Sequence, residues 1–206
     1  MIHQMKERVT TYHVEIDDPA AFRPAGPGRI AYEVRRSRVP LPELNRFLYA
    51  SVGAEWRWYM RLGWSYRQWE RYLDRPEVGT WLAYVDGTPA GYFELEWQPP
   101  RSVEIVYFGL MPQFVGAGMG GAFLGDAVRT AWDFGREFLA SDAGASADAA
   151  PGADVRVWLH TCSLDHPQAL ANYQARGFSL FDVVETVEEV PDGPMDPWPG
   201  AGRVTG

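Results

Sequence analysis

Sulfur is scarce in this chain, which carries one cysteine, Cys162. A single thiol excludes an internal disulfide framework and suits a reducing cytoplasm. No apolar run approaches the roughly 20 residues a helix needs to cross a bilayer, so no membrane partner is expected. Met1 to Arg8 lack the apolar stretch of a secretory leader, and a cytoplasmic protein is expected. Basic side chains are in deficit: 19 Lys and Arg stand against 27 Asp and Glu, for a net charge of −8. Phosphate backbones select basic surfaces, so no nucleic-acid partner is expected. A cationic substrate such as an amine fits the acidic balance better. His3, His13, His160 and His166 show no metal-ligand spacing, so no metal is expected. There is no internal repeat and no Gly-Lys-Ser/Thr, which rules out a P-loop.

What the chain does have is 206 residues at 46% hydrophobic, enough for one domain with a sizeable core. Its organising stretch is Val103 to Val128. Val103 to Leu110 is β-branched and aromatic, which favours a strand, with Glu104 as its lone charge. Met111-Pro112 ends it, and Gly116, Gly118, Gly120 and Gly121 follow. Phe123, Leu124, Ala127, Val128 and Ala131 then recur at helical spacing. Glycines at the start of a helix let backbone N–H groups approach an anion, above all a phosphate. Gly116-x-Gly118-x-x-Gly121 also fits the dinucleotide fingerprint by spacing. That fingerprint should open a repeating strand–helix domain, whereas this one sits mid-chain after a hairpin.

The rest reads as follows. Thr11 to Asp17 alternates as a short strand, and Ile30 to Val34 is another. A helix is predicted from about Leu41 to Val52, with Leu44, Phe47, Leu48 and Val52 inward and Pro42 near its start. Ser65 caps a second helix with Tyr66, Trp69 and Leu73 inward. Trp56, Trp58, Tyr59, Trp64, Tyr66, Trp69 and Tyr72 are too many for one helix face. Some must face a cleft or a partner chain, and a homodimer is left open. Thr80 to Trp97 is a hairpin turning at Asp86-Gly87. The helix after the glycines fades near Leu139. Residues 141–154 read as a flexible insertion, Val155 to His160 as a strand, and Pro167 to Arg176 as a helix capped by Asp165 or His166. Phe178 to Val190 returns as strand or hairpin, and 191–206 is a Pro/Gly-rich tail.

Glu104-Ile-Val-Tyr-Phe-Gly-Leu110 followed by Gly116-Ala-Gly-Met-Gly120 resembles the central motif of the GNAT acetyltransferase superfamily. His166-Pro-Gln-Ala169, Tyr173 and Gly177-Phe178 resemble its second motif at the same spacing, with histidine in place of the family's asparagine. The family turn carries Arg or Gln where this chain has Val115; a shifted register restores Gln113. The resemblance implies an α/β (α+β) fold: a mixed, mostly antiparallel central sheet with a V-shaped splay, flanked by helices. The splay is expected after Leu110. The implied domain covers 30–190, after an N-terminal extension, 1–29, with a short strand.

The resemblance also implies acetyl-CoA as co-substrate, held by Leu110, Met111, Val115, Gly116, Ala117, Gly118, Met119, Gly120 and His166. A backbone N–H near Leu110 would polarise the thioester carbonyl. Tyr173 would protonate the leaving thiolate and Glu104 would act as base, with Glu96, Asp165 and His160 competing for that role. Trp58, Tyr59 and Trp64 would form a wall of the acceptor site. The implied reaction is N-acetylation of a primary amine on a small molecule or peptide. A non-catalytic acyl-CoA-binding sensor is the alternative. Cys162 reads as a small buried residue.

Overall fold

The computed structural model of the chain describes residues 4–142 and 154–193. Most of the 141–154 insertion and the tail beyond 193 lie outside the described residues. Seven strands form one sheet in the order β2-β3-β4-β5-β6-β1-β7. They are β1 (Gln4–Ile16), β2 (Glu33–Ser37), β3 (Val78–Val85), β4 (Thr88–Gln98), β5 (Ser102–Leu110), β6 (Arg156–Cys162) and β7 (Ser179–Pro191). Every neighbouring pair is antiparallel except β5 and β6. The helices are α1 (Pro42–Gly53), α2 (Tyr66–Leu73), α3 (Gly120–Asp142) and α4 (Ala169–Ala175). Among the described residues no helix is long and apolar enough to cross a membrane.

Alternation along the strands divides the core between two faces. Phe93, Leu95, Val103 and Ile105 meet Phe123, Leu124, Ala127 and Val128 of α3. Leu82, Tyr92 and Tyr107 turn the other way, to α1 and α2. The β3–β4 turn has Asp86 at φ +47° and Gly87 at φ +77°, which matches the twist of the flanking strands. At the start of α2, the Ser65 N–H and hydroxyl both donate to Gln68 Oε1 at 2.8 Å.

Several elements depart from the sequence reading. The strand expected at Thr11 begins at Gln4, because β1 is paired along its length with β7. β2 starts at Glu33 rather than Ile30: Tyr32 leaves the sheet line and its hydroxyl donates to Asp126 of α3 at 2.7 Å. Phe47 (50% exposed) and Tyr66 (55%) face outward; Asn45 takes the inward place on α1, bonded to Thr80 at 2.8 Å. α4 is shorter than expected, starting after Gln168. Of the two forms expected for 178–190, strand or hairpin, residues 179–191 take the single strand.

Candidate functional site

The one parallel pair in the sheet is also its weakest seam. β5 and β6 share three rungs, Ser102↔Arg156, Val103↔Val157 and Glu104↔Trp158, and then part. The splay therefore opens beyond Glu104, inside β5, and not after Leu110 as expected. A bulge supplies the reason. Glu94 faces Tyr107 while Leu95 faces Ile105, which leaves Val106 unpaired. An extra residue bends and twists its strand, turning the rest of β5 away from β6.

At the far end of β5, Pro112–Phe114 makes one 3-10 turn before the glycines. Gly116 (φ +82°) and Gly118 (φ +86°) adopt a conformation that side chains resist. The N–H groups of Val115 and Ala117 are spent inside the turn on Pro112 and Phe114, and that of Met111 on Ala90. Those of Gly116, Gly118, Met119, Gly120, Gly121 and Ala122 donate to no other described group. Open amides at the start of a 23-residue helix form a ready anion cradle.

Two arginines that the sequence reading missed flank this cradle. The Arg29 N–H donates to Gly118 O at 3.3 Å, and its side chain lies against Gly118. Arg176 Nη1 lies 3.2 Å from where a Cβ on Gly121 would sit, and its buried Nε has no hydrogen-bond partner. Neither has an ion-pair partner among the described residues. Arg176 directly precedes the Gly177-Phe178 motif, but nothing in sequence connects Arg29 to the loop.

Glu104 lies on the α1/α2 face of the sheet, directly across from Glu96. Its side chain is 12% exposed and His160 Nδ1 stands 3.3 Å from Oε1. Gln98 Nε2 donates to Glu104 Oε2 at 2.8 Å, and Trp158 Nε1 donates to Gln98 Oε1 at 3.0 Å. Contact with Glu104 raises the His160 pKa above its ordinary 6.5, against the opposing effect of burial. Of the competing bases, Glu96 is held by Arg75 at 2.6 Å. Asp165 is occupied by the Thr161 hydroxyl (2.7 Å) and the Cys162 N–H (2.9 Å). Burial pushes the Cys162 thiol up to about 11, so it stays protonated and unsuited to covalent transfer.

Tyr173 on α4 is 9% exposed, set edge-on to Phe178 with ring centres 5.9 Å apart. Burial, helped by Asp165, raises its phenol pKa and keeps its proton in place. His166 Nδ1 accepts from the Gln168 N–H at 3.1 Å, and its ring meets Trp56 at 5.2 Å.

The α1–α2 connection crosses the same sheet face. Arg57 Nη1 binds Glu7 of β1 at 2.6 Å and the Tyr59 hydroxyl donates to Glu188 of β7 at 3.5 Å. Trp58 packs at a tilt against Tyr107 (ring centres 4.8 Å apart) and Tyr49 (5.7 Å). Trp64 is occupied differently, against Trp69, Tyr72 and the Arg61 guanidinium. Neither of two cavities, of about 250 and 1010 Å³, touches Glu104; the smaller lies beside β2 and β3, and the larger runs between the segment around Arg29 and the start of α3 at Ala122 and Asp126.

The comparisons agree with the fold. A family model described as acetyltransferase (GNAT) family matches residues 43–150, just over half of the chain. No curated protein matches. Among solved structures, the chain is similar to a tandem GNAT protein from the clavulanic acid biosynthesis pathway, at 17% identity and TM-score 0.55, covering 94% of this chain and 57% of that one. It is similar to a GCN5-related N-acetyltransferase from Sphaerobacter thermophilus at 14% identity and TM-score 0.53, covering 94% and 54%. A GCN5-related N-acetyltransferase from Kribbella flavida aligns at 14% identity and TM-score 0.50, covering 92% and 60%. The chain thus spans less than two thirds of each of these structures, and at such identities the likeness is one of fold.

Proposed function

Because the chain belongs to the GNAT acetyltransferase family, we propose that it moves the acetyl group of acetyl-CoA to a primary amine of a small molecule or peptide. The observation that carries this is the pairing of six open amides at the start of α3 with a strand, β5, that leaves its neighbour beyond Glu104. A diphosphate suits the first feature and an extended thioester arm suits the second. Residues 30–190 form the transferase unit, to whose sheet the 1–29 extension adds β1.

Leu110 and Met111 line the end of the thioester path. The diphosphate rests on the Gly116 to Gly120 turn, with Val115 and Ala117 shaping it through their internal hydrogen bonds. Arg29 and Arg176 supply the positive charge that Val115 does not. His166 stands at the mouth between the pantetheine arm and Trp56. Trp58 and Tyr59 form the acceptor wall, backed by Trp64 through Arg61.

The amine attacks the thioester carbonyl directly. Its proton passes to Glu104, either itself or through the His160 beside it. Tyr173 delivers a proton to the departing thiolate. Holding both reactants in line supplies most of the acceleration. Calorimetry with acetyl-CoA, followed by thiol release against a panel of primary amines, tests the reading. Binding with release supports it. Binding without release from any amine favours the acyl-CoA sensor, a reading that Val115 in place of Arg or Gln favours. No binding overturns both.

A further inference from the structure

Glu104 is not itself the group best placed to meet a substrate. Its oxygens already have partners on the protein, and the order of those partners is fixed by chemistry. An indole N–H can only donate, so the Gln98 atom 3.0 Å from Trp158 Nε1 is the amide oxygen. The Gln98 nitrogen then faces Glu104 Oε2 at 2.8 Å. Glu104 is left with Oε1, 3.3 Å from His160 Nδ1. A carboxylate and a neutral imidazole meet favourably only when the facing nitrogen carries the hydrogen. In neutral His160 the hydrogen therefore sits on Nδ1 and the lone pair on Nε2.

No described group bonds Nε2. The His160 side chain is 42% exposed where that of Glu104 is 12% exposed. His160 also lies two residues past Trp158, the last rung that joins β6 to β5. It thus stands where β6, still paired with His13 of β1, has lost β5 as a neighbour, beside the path assigned to the thioester.

We propose that His160 Nε2 is the base that takes the acceptor amine's proton, and that Glu104, Gln98 and Trp158 are positioning residues that fix its tautomer and aim. This rests on the transferase reading above. As the amine lone pair forms the C–N bond, the C–S bond breaks and its electron pair goes to sulfur. One proton moves from nitrogen to Nε2, and the thiolate takes one from Tyr173. The imidazolium so formed faces the Glu104 carboxylate, which offsets its charge.

The groups around the ring favour a basic imidazole. Glu104 faces it from β5 and Asp165 from the loop before α4. From β1, His13 lies with ring centres 5.9 Å apart, its own Nδ1 4.0 Å from Asp182 of β7. The rate should therefore climb with pH through a value above 6.5 as His160 loses its proton.

The test uses the full chain with long-range proton–nitrogen spectra of the histidines, in wild type, His160→Gln and Glu104→Gln. It adds acetyl-CoA calorimetry and pH profiles of thiol release with a panel of primary amines. The signals absent from His160→Gln should report hydrogen on Nδ1, titrate above 6.5 in wild type and titrate lower in Glu104→Gln. His160→Gln should keep the wild-type acetyl-CoA affinity, lose the rising limb and turn over about 10²-fold more slowly. Glu104→Gln should keep the limb, moved to lower pH. Hydrogen on Nε2, or a rising limb that survives in His160→Gln, overturns the inference. Wild-type protein that does not bind acetyl-CoA overturns the transferase reading and the base role with it, whatever the spectra give for the tautomer.

Discussion

Glu94 and Glu104 sit on adjacent strands and face the same side of the sheet, yet their surroundings give them opposite uses. Glu94 is 1% exposed and its partner is Arg61, 2.8 Å away. The Tyr72 hydroxyl donates to it at 2.7 Å, and Asn45 at 3.4 Å. Rings of Tyr72, Tyr107 and Trp64 close around the guanidinium at 4.0, 4.6 and 4.7 Å. Burial works against the Arg61 charge, but Glu94, with Tyr107 and Tyr72, holds it protonated above the ordinary arginine range. Glu96, directly across from Glu104, is likewise held by an arginine, Arg75. Glu104 alone of the three faces a group that can lose its charge. A permanent cation turns a buried carboxylate into a rivet; a titratable, half-open partner lets the carboxylate orient a group that can take up a proton.

The contrast can be broken by substitution. Glu94→Ala should cost about 3–5 kcal/mol in urea unfolding, since it leaves Arg61 charged and buried without its partner. Glu104→Gln should cost about 1 kcal/mol or less, because His160 can go neutral and is partly solvated. It should nonetheless slow turnover about tenfold, less than His160→Gln does, since the base remains but is less well aimed. If Glu104→Gln proves the more damaging to stability, the division between the two carboxylates is wrong.

Smaller effects sharpen the comparison. Tyr173→Phe should lower kcat about tenfold and leave acetyl-CoA affinity nearly unchanged, since a thiolate leaves readily even with little help. Unchanged turnover would remove its acid role. Arg176→Ala should weaken acetyl-CoA binding by about threefold to tenfold, read by calorimetry, if its unpaired guanidinium serves the diphosphate. The smallest effect is on stability against pH. The His160 pKa is raised in the folded chain, so the pair with Glu104 stabilises fully below 6.5 and that gain is lost as pH rises through the folded value. The difference between wild type and His160→Gln should shrink over that interval, by less than about 1 kcal/mol, given the exposure of the ring.

Much of the frame could be read from local pattern. The β-branched run at Val103, the Asp86-Gly87 turn and the helical spacing after Gly121 each carry their own signal. The splay carried none of this kind. It depends on a one-residue offset between Glu94 and Leu95 on β4 and their partners, which no periodicity announces. The aromatic surplus between Trp56 and Tyr72 was visible, but not that part of it encloses Arg61, because that depends on Glu94 arriving from another strand. Glu104 stood out as the lone charge in its strand, but its partners did not. The Trp158–Gln98–Glu104–His160 chain joins three strands and has no trace in spacing.

The central claim is that the open amides before α3 receive the diphosphate of acetyl-CoA while β5 carries its thioester arm. Backbone amide spectra recorded as acetyl-CoA is added test it most directly. Binding should be saturable, with Gly116, Gly118, Met119, Gly120 and Gly121 shifting most, followed by residues along β5. An absence of binding, or shifts centred on another part of the sheet, would contradict it.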